Sequence, residues 1–191
     1  MRIVIVLMFL LSCNQDKQIE DNLNKQKHHD QEDSCYYMPC KYYNSNPINT
    51  NEIIKNANMW MKGNDSCVIG LIKRMSNDIK NHENIKFIEC FDSLQKVSDG
   101  YVSELLSEEI FQLSKSNSKI ILDYILSKKK IRNDIFVVNL AYTLYIHYIF
   151  NDYNSSEEKI KQHFFNNLNP GYYDKYISII DSLITLSNEF Q

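Results

Sequence analysis

The stretch "DIFVVNLAYTLYIHYIF", residues 134–150, decides the fold of this chain. After Asp134 it contains no Asp, Glu, Lys or Arg, and it is apolar nearly all the way round a helix. Its β-branched and aromatic residues also suit a strand, but 17 residues without a turn signal exceed the usual strand of about five or six. The stretch therefore predicts a central helix that is buried on most of its circumference.

Amphipathic segments lie on both sides of this central helix. From residue 51 onward, apolar residues recur three and four positions apart, and polar breaks such as Gly63-Asn64, Ser98-Asp99-Gly100 and Asn169-Pro170-Gly171 separate the segments. Short connections make sequential helices antiparallel neighbours. The sequence predicts an all-α domain of about eight antiparallel helices. Their spacing resembles the stacked helical hairpins of HEAT repeats, and an irregular bundle is the alternative.

The N-terminus has the pattern of a secretory signal peptide. Met1 and Arg2 are followed by nine apolar residues, 3–11, and a positive residue before a short apolar run is typical of such a peptide. As a helix, this run is about 14 Å long, roughly half of the ~30 Å hydrocarbon core of a bilayer. The run therefore favours an export signal over a membrane-spanning helix.

The sequence Leu10-Leu11-Ser12-Cys13 resembles the lipobox of bacterial lipoproteins, although Leu11 departs from the usual small residue. The resemblance implies that the thiol of Cys13 receives a diacylglyceryl group and that residues 1–12 are removed. It also implies a bacterial cell envelope location, at the outer membrane on its periplasmic or surface face. Two or three acyl chains anchor a protein durably, whereas one gives marginal binding. An ordinary secretory peptide and a retained anchor are the alternatives.

Residues 14–34 predict a disordered tether between the lipid and the folded domain. Six acidic and three basic side chains accompany only two sizeable apolar ones, Ile19 and Leu23, which is too little to bury a core. The predicted organisation is a signal peptide (1–12), a lipidated Cys and tether (13–34), a Tyr/Cys-rich loop (35–50) and a helical domain (51–191).

Four cysteines remain if Cys13 carries lipid, and an oxidising compartment favours their pairing. A helical turn near residue 82 places Cys67 and Cys90 about 10 Å apart along the helix axis, beyond the ~7 Å Cα limit of a disulfide. The favoured disulfides are therefore Cys35 or Cys40 with Cys67, or Cys35 with Cys40. Cys90 is predicted to be a buried thiol.

Composition excludes several classes of function. The chain has a formal net charge of −3 and four glycines, so it lacks the basic face that nucleic acids require and the loops that cradle phosphates. HExxH, GxSxG, Walker and GxGxxG patterns are absent. We therefore expect no catalysis, no cofactor, no metal site and no nucleic-acid partner. The prediction is a protein-binding or scaffold module, and an immunity-type protein is one form of it.

The segment "CYYMPCKYYN", residues 35–44, holds the predicted recognition residues. Tyrosine offers contact area and a hydroxyl group at low entropic cost. The alternative is that these side chains cover the end of the helical domain. The four candidates are Tyr36, Tyr37, Tyr42 and Tyr43.

An envelope enzyme or small-ligand binder is the alternative function. It would use His147 or the carboxylates Glu104, Glu108 and Glu109, although a lone histidine on an apolar helix is usually a hydrogen-bonded core residue. The basic run "KKKIR", residues 128–132, offsets a helix dipole. Contact with anionic headgroups is its other interpretation.

Acylation of Cys13 can be measured directly. We expect a palmitate analogue to label the chain in bacterial cells and to be absent from Cys13→Ser, because no other thiol follows the signal peptide so closely. Cys90→Ser is the control and should keep the label. Label that persists in Cys13→Ser would contradict the lipoprotein interpretation.

Overall fold

The computed structural model describes residues 39–60, 65–150 and 156–191, which are helical throughout their regular parts and contain no strand. The all-α class is therefore confirmed. A π-helix, Tyr145–Ile149, continues the α-helix Ile135–Leu144, and Ile131–Asn133 and Pro170–Tyr172 are 3₁₀ turns. The α-helices are α1 (residues 39–43), α2 (Thr50–Lys55), α3 (Ala57–Trp60), α4 (Asp65–His82), α5 (Ile85–Gln95), α6 (Gly100–Ser116), α7 (Ser118–Leu126), α8 (Ile135–Leu144), α9 (Ser156–Phe165) and α10 (Tyr173–Asn188).

The described residues hold ten α-helices where the sequence predicts about eight. The two additional helices come from the first part of the domain. Residues 39–43 form a helix of their own, and the first predicted segment, which runs from residue 51 to the break at Gly63-Asn64, is divided at Asn56. Its φ of −111° and ψ of 19° leave the α region, so the chain turns there and restarts as α3.

Short polar side chains begin several of these helices. Asn49 accepts a hydrogen bond from the N–H of Glu52 at 3.3 Å, and Asn84 accepts one from Lys86 at 3.1 Å. Such caps satisfy N–H groups that have no partner inside the helix. Gly100 begins α6 with a φ of +48°, a left-handed conformation that glycine adopts without a steric penalty.

Helix α6 lies at the centre of the packing. It contacts α4, α5, α7, α8 and α9, while α8 contacts α5, α6 and α10. Leu106, Ile110 and Leu113 of α6 are fully buried, as are Phe136 and Leu144 of α8. The central helix predicted from residues 134–150 is therefore present, but it is not buried all the way round, since five of its side chains are exposed: Ile135, Tyr142, Ile146, His147 and Phe150.

The N-terminal segment packs as part of the helical body. Tyr42 and Ile48 are each 8% exposed and join the core. The Nη1 atom of Arg74, on α4, donates hydrogen bonds at 2.6 Å to the backbone carbonyls of Tyr43 and Ser45. Residues 39–48, predicted as part of a loop, are thus held against α4.

A disulfide fastens α1 to the start of α4. It joins Cys40 and Cys67, with their Cα atoms 4.9 Å apart, and is one of the pairings that the sequence leaves open. Cys90 is a buried free thiol, and burial raises its pKa to about 12, so it is not a reactive nucleophile at neutral pH. Cys13 and Cys35 lie outside the described residues.

A buried carboxylate ties three elements together. The Oδ2 atom of Asp92, on α5, accepts hydrogen bonds from Lys128 at 2.6 Å, Lys96 at 2.9 Å and the Tyr124 hydroxyl at 2.8 Å. Burial alone would raise the pKa of the Asp92 carboxyl, but these three donors outweigh it and hold the pKa below its ordinary value. The ionised carboxylate therefore stabilises the junction of α5, α7 and the connection that follows α7.

We expect Asp92→Asn to lower the free energy of unfolding by about 2–3 kcal/mol at pH 7. Removing one partner of a fully buried ion pair costs about 3–5 kcal/mol. The expected loss is slightly smaller here because Lys96 and Lys128 keep some contact with water. Because the folded-state pKa is depressed, the advantage of the wild type is complete above about pH 4 and disappears as the pH falls through that pKa.

Urea denaturation followed by circular dichroism measures this difference. Asp99→Asn is the matched control, because Asp99 is exposed and its side chain makes no capping hydrogen bond. It should change the free energy of unfolding by less than about 0.5 kcal/mol. Equal losses in the two variants would contradict the role of Asp92.

Candidate functional site

The π-helix Tyr145–Ile149 separates two groups of notable side chains. It closes with a hydrogen bond from the N–H of Phe150 to the carbonyl of Tyr145 at 2.9 Å, which spans five residues rather than four. Such turns are rare and occur frequently at functional sites. Here Tyr148 reaches a buried partner on α9, while Ile146 and Phe150 are exposed.

The first group, which we call the histidine cluster, joins α6, the π-helix and α9. The ring of His147 stacks on Phe111, with centroids 4.0 Å apart and planes 11° apart. Its Nε2 atom lies 3.1 Å from the Oε2 atom of Glu108. The structure therefore places His147 beside a carboxylate. The members of the cluster are Glu108, Phe111, Ser114, His147, Tyr148 and His163.

His163 is the buried member of this cluster, and it was not singled out from the sequence. Its Nε2 atom lies 2.6 Å from Ser114 Oγ, and its Nδ1 atom lies 3.0 Å from the Tyr148 hydroxyl. Ser114 donates its only hydrogen to the carbonyl of Phe111 at 2.7 Å. His163 Nε2–H therefore donates to Ser114, and Nδ1 accepts from Tyr148.

This arrangement holds His163 as a neutral ring. Burial lowers its pKa to about 3, and Lys115 and His147 act in the same direction. The Ser114 and His163 side chains are 0% and 2% exposed, and the serine hydrogen is committed to a backbone carbonyl. The pair therefore resembles a serine–histidine dyad in distance only, since no substrate reaches it and the histidine does not accept the serine proton.

The exposed half of the histidine cluster consists of the His147 imidazole and the Glu108 carboxylate, which can exchange a proton but do not include a hydroxyl or thiol nucleophile. Within the described ranges, Glu108 is the side chain that lies within hydrogen-bonding distance of His147. The predicted carboxylates do not converge, because Glu109 accepts from Ser76 at 2.6 Å and Glu104 is exposed. In the same ranges, no group of three or more His, Cys, Asp or Glu side chains is arranged to hold a metal ion.

The second group is an exposed apolar patch, which we call the aromatic surface. Its rings contact one another: Tyr142 and Phe190 have centroids 5.2 Å apart, and Tyr145 lies 6.1 Å from Phe150. Tyr142, Ile146 and Phe150 are four residues apart and share one helix face. The aromatic surface consists of Tyr142 (49% exposed), Ile146 (39%), Phe150 (66%), Phe190 (37%) and the partly buried Tyr145.

The sequence carries a signal for this surface. The absence of charge over residues 135–150 favours burial, but the four-residue spacing of Tyr142, Ile146 and Phe150 also fits an uncovered helix face. Contiguous exposed apolar side chains mark interaction sites more often than isolated ones do. The aromatic surface is therefore the strongest candidate for binding in the described part of the chain.

The predicted recognition tyrosines have different environments. Tyr36 and Tyr37 lie outside the described residues. Tyr42 is buried and packs in the core. Tyr43 is 41% exposed, and its ring lies over Gly70, with Cε2 at 2.9 Å from where a Cβ would stand. Of the two described tyrosines, Tyr43 alone presents a side chain to solvent.

Comparison of the chain with protein-family models, with curated proteins and with solved structures finds no match. Within the ranges that the structure describes, no helix combines the length and the apolar composition needed to cross a bilayer. The residues of the predicted signal peptide, Cys13 and the predicted tether lie outside those ranges. The function therefore has to be inferred from the chain's own residues.

We expect His163→Gln to make stability less dependent on pH. In the wild type the folded-state pKa of about 3 lies below the unfolded value of about 6.5. The unfolded state therefore binds more protons between these values, and falling pH destabilises the fold by up to about 1.4 kcal/mol per pH unit. The variant lacks this contribution.

The measurement is urea denaturation at several pH values between 7 and 5. The variant should be about 1–3 kcal/mol less stable at pH 7, because a hydrogen-bond partner is lost, and should show a shallower decline below it. His82→Gln, at an exposed position at the end of α4, should keep the wild-type slope. Identical slopes for His163→Gln and the wild type would show that His163 does not titrate as described.

Proposed function

We propose that this chain is a lipid-anchored protein of a bacterial envelope that binds a partner protein through the aromatic surface. The observation that carries the proposal is the set of exposed, mutually contacting rings at the ends of α8 and α10. Large aromatic side chains dominate the binding energy of protein interfaces. The partner's matching surface is apolar and uncharged, because a charge buried against residues 142–150 would lose its hydration without compensation.

The ring contacts prepare this surface for binding. The ring of Tyr145 lies 6.3 Å from that of Tyr142, 6.1 Å from that of Phe150 and 6.2 Å from that of Phe190, between centroids, so these side chains restrict one another's rotation. Ordering a mobile side chain costs about 0.5–1.5 kcal/mol during association. A surface whose side chains have lost part of this freedom retains more of the roughly 1.5–3 kcal/mol that burial of a large apolar side chain provides.

The helical framework supports a role as a platform. Helices α4, α6, α8 and α10 contact one another in series, and α5 contacts α7. Stacked helical hairpins produce such contacts, in which a helix packs against the second helix after it in the chain. We propose that arrangement for this domain. A scaffold built from packed helices presents a surface whose shape changes little on binding.

The envelope location rests on residues 1–34. Lipid on Cys13 would hold the domain through a tether whose root-mean-square span is about 25 Å as a flexible coil. The Cys40–Cys67 disulfide fixes α1, the first described helix after the tether, to α4. An immunity-type protein, which neutralises a toxin acting in the envelope, is a narrower form of this proposal.

A second candidate function is supported by the His147–Glu108 pair. A histidine at 3.1 Å from a carboxylate is suited to general acid–base chemistry or to a small ligand with a hydrogen-bonding group. This candidate predicts that His147→Gln abolishes activity or ligand binding and leaves contacts of the aromatic surface unchanged.

Photocrosslinking tests the protein-binding proposal in living cells. With Tyr142 replaced by photoreactive benzoylphenylalanine, we expect an adduct of one discrete mass with another envelope protein, crosslinked through an apolar, uncharged peptide. Adding Phe150→Ser should reduce the adduct about 30-fold, since loss of a central aromatic contact typically costs about 2 kcal/mol.

The matched control places the same photoreactive group at Tyr101. This side chain is 65% exposed at the start of α6 and is not part of the aromatic surface, so it should give no adduct. Three outcomes contradict the proposal: no adduct from position 142, equal adducts from both positions, or an adduct of twice the mass of the chain, which would indicate self-association.

A further inference from the structure

The connection between α7 and α8 presents apolar side chains to water on both sides of a basic run. Leu126 is the last residue of α7 and Ile135 is the first of α8, and each is 43% exposed. Between them lies the basic run, residues 128–132. We call Leu126, Lys129, Lys130, Arg132 and Ile135 the basic loop.

Two of the four basic residues already have acidic partners. Lys128 is 15% exposed and lies 2.6 Å from Asp92 and 3.2 Å from Asp134. Arg132 pairs with Glu189 at the end of α10. These pairs fold the connection onto the body of the protein, so they are structural contacts.

Lys129 and Lys130 have no such role. Both are exposed, and neither forms an ion pair with any described residue. Lys96, Lys128 and Arg132 pair with the carboxylates of Asp92, Asp134 and Glu189. Lys129 and Lys130 add two positive charges that these carboxylates do not balance. This local excess lies on a domain, residues 35–191, whose formal net charge is −1.

Both ends of the connection are fixed, which determines where these lysines lie. Asp134 accepts a hydrogen bond from the N–H of Phe136 at 3.1 Å and begins α8, while Lys128 is drawn to Asp92. The two exposed lysines therefore lie on a short, anchored connection, between the exposed Leu126 at its start and the exposed Ile135 at its end. Cationic side chains next to exposed aliphatic ones are the chemistry of a surface that rests on a membrane, where the former meet headgroups and the latter enter the boundary of the acyl region.

We propose that the basic loop binds the surface of a membrane that contains anionic phospholipid. The inference rests on the proposed envelope location, but not on a partner for the aromatic surface. A nucleic acid would require a larger basic face, and an apolar protein surface would leave the two lysines without partners. The phosphate headgroups match the lysines in charge, and the boundary of the acyl region accommodates the aliphatic side chains.

This contact would orient the domain on the membrane. Arg132 reaches Glu189, and the neighbouring Phe190 contacts Tyr142 at 5.2 Å between centroids, so the basic loop adjoins the aromatic surface. A lipid on Cys13 raises the local concentration of the loop at the membrane, and a weak contact is then sufficient to set the orientation. The aromatic surface would consequently face a partner that lies at or near the bilayer.

Vesicle cosedimentation tests the loop without the lipid anchor. The full chain carrying Cys13→Ser is mixed with vesicles of phosphatidylcholine alone, or of phosphatidylcholine and phosphatidylglycerol in equal parts. The apolar residues 3–11 contribute to the binding of both kinds of vesicle. The ratio of the partition coefficient for the anionic vesicles to that for the neutral vesicles therefore measures the effect of the anionic lipid. Lys129→Gln with Lys130→Gln should lower this ratio about 30-fold, which is about 2 kcal/mol at ~1 kcal/mol per lysine.

The matched control is Lys73→Gln with Lys86→Gln, two exposed lysines on α4 and α5 that change the net charge equally. It should keep the wild-type ratio. Leu126→Ser with Ile135→Ser should weaken binding to the anionic vesicles although the charge is unchanged. Circular dichroism confirms that every variant is folded, and wild-type binding should fall as salt rises.

Three results would overturn the proposal: an unchanged ratio in the Lys129/Lys130 variant, an equal fall in the control pair, or loss of the Tyr142 crosslink without any change in vesicle binding. The last would assign the loop to the protein partner instead. Failure here is distinguishable from failure of the proposed function, because acylation of Cys13 and crosslinking at Tyr142 are measured separately.

Discussion

The enclosure of α6 by five other helices is the constraint on which the rest of the structure depends. A helix contacted by α4, α5, α7, α8 and α9 buries part of its surface against each of them, so the polar side chains that lie in these contacts need partners on particular neighbours. Glu109 meets Ser76 of α4, Ser114 meets His163 of α9, and Glu108 meets His147. These pairs fix how the surrounding helices are rotated about α6. The outward face of α8 follows from that rotation.

Periodicity was sufficient to predict the helical class, because spacings of three and four residues report the helix directly. It was not sufficient for the N-terminal part of the domain. The division at Asn56 depends on the backbone angles of one residue, and the caps at Asn49 and Asn84 depend on single side-chain hydrogen bonds. The chain has 22 asparagines, so the presence of an asparagine does not by itself distinguish a helix start from other positions.

The candidate site was only partly predictable for a different reason. His147 is recognisable as unusual in its segment, but Glu108 lies 39 residues away and Ser114 lies 49 residues from His163. Which of these side chains meet depends on how each packed helix is rotated about its own axis. The hydrophobic pattern shows which broad face of a helix is buried, but it does not determine the rotation angle. The aromatic surface has the same origin. An uncharged helix is equally consistent with burial on all sides and with an uncovered face, and only the packing of α8 against α10 distinguishes them.

The π turn after α8 has a consequence for how this protein tolerates insertion and deletion. A hydrogen bond from residue 150 to residue 145 encloses one residue more than an α turn, so the wide turn absorbs an extra residue without interrupting the helix. Removal of one residue from 146–149 would let the N–H of Phe150 reach the same carbonyl through an ordinary α turn. The helix on the two sides of the turn would keep its relative orientation, and only the side chains inside the turn would change direction. Sequences descended from a common ancestor with this chain are therefore expected to lose one residue here more readily than within α6, which is α-helical over its whole length.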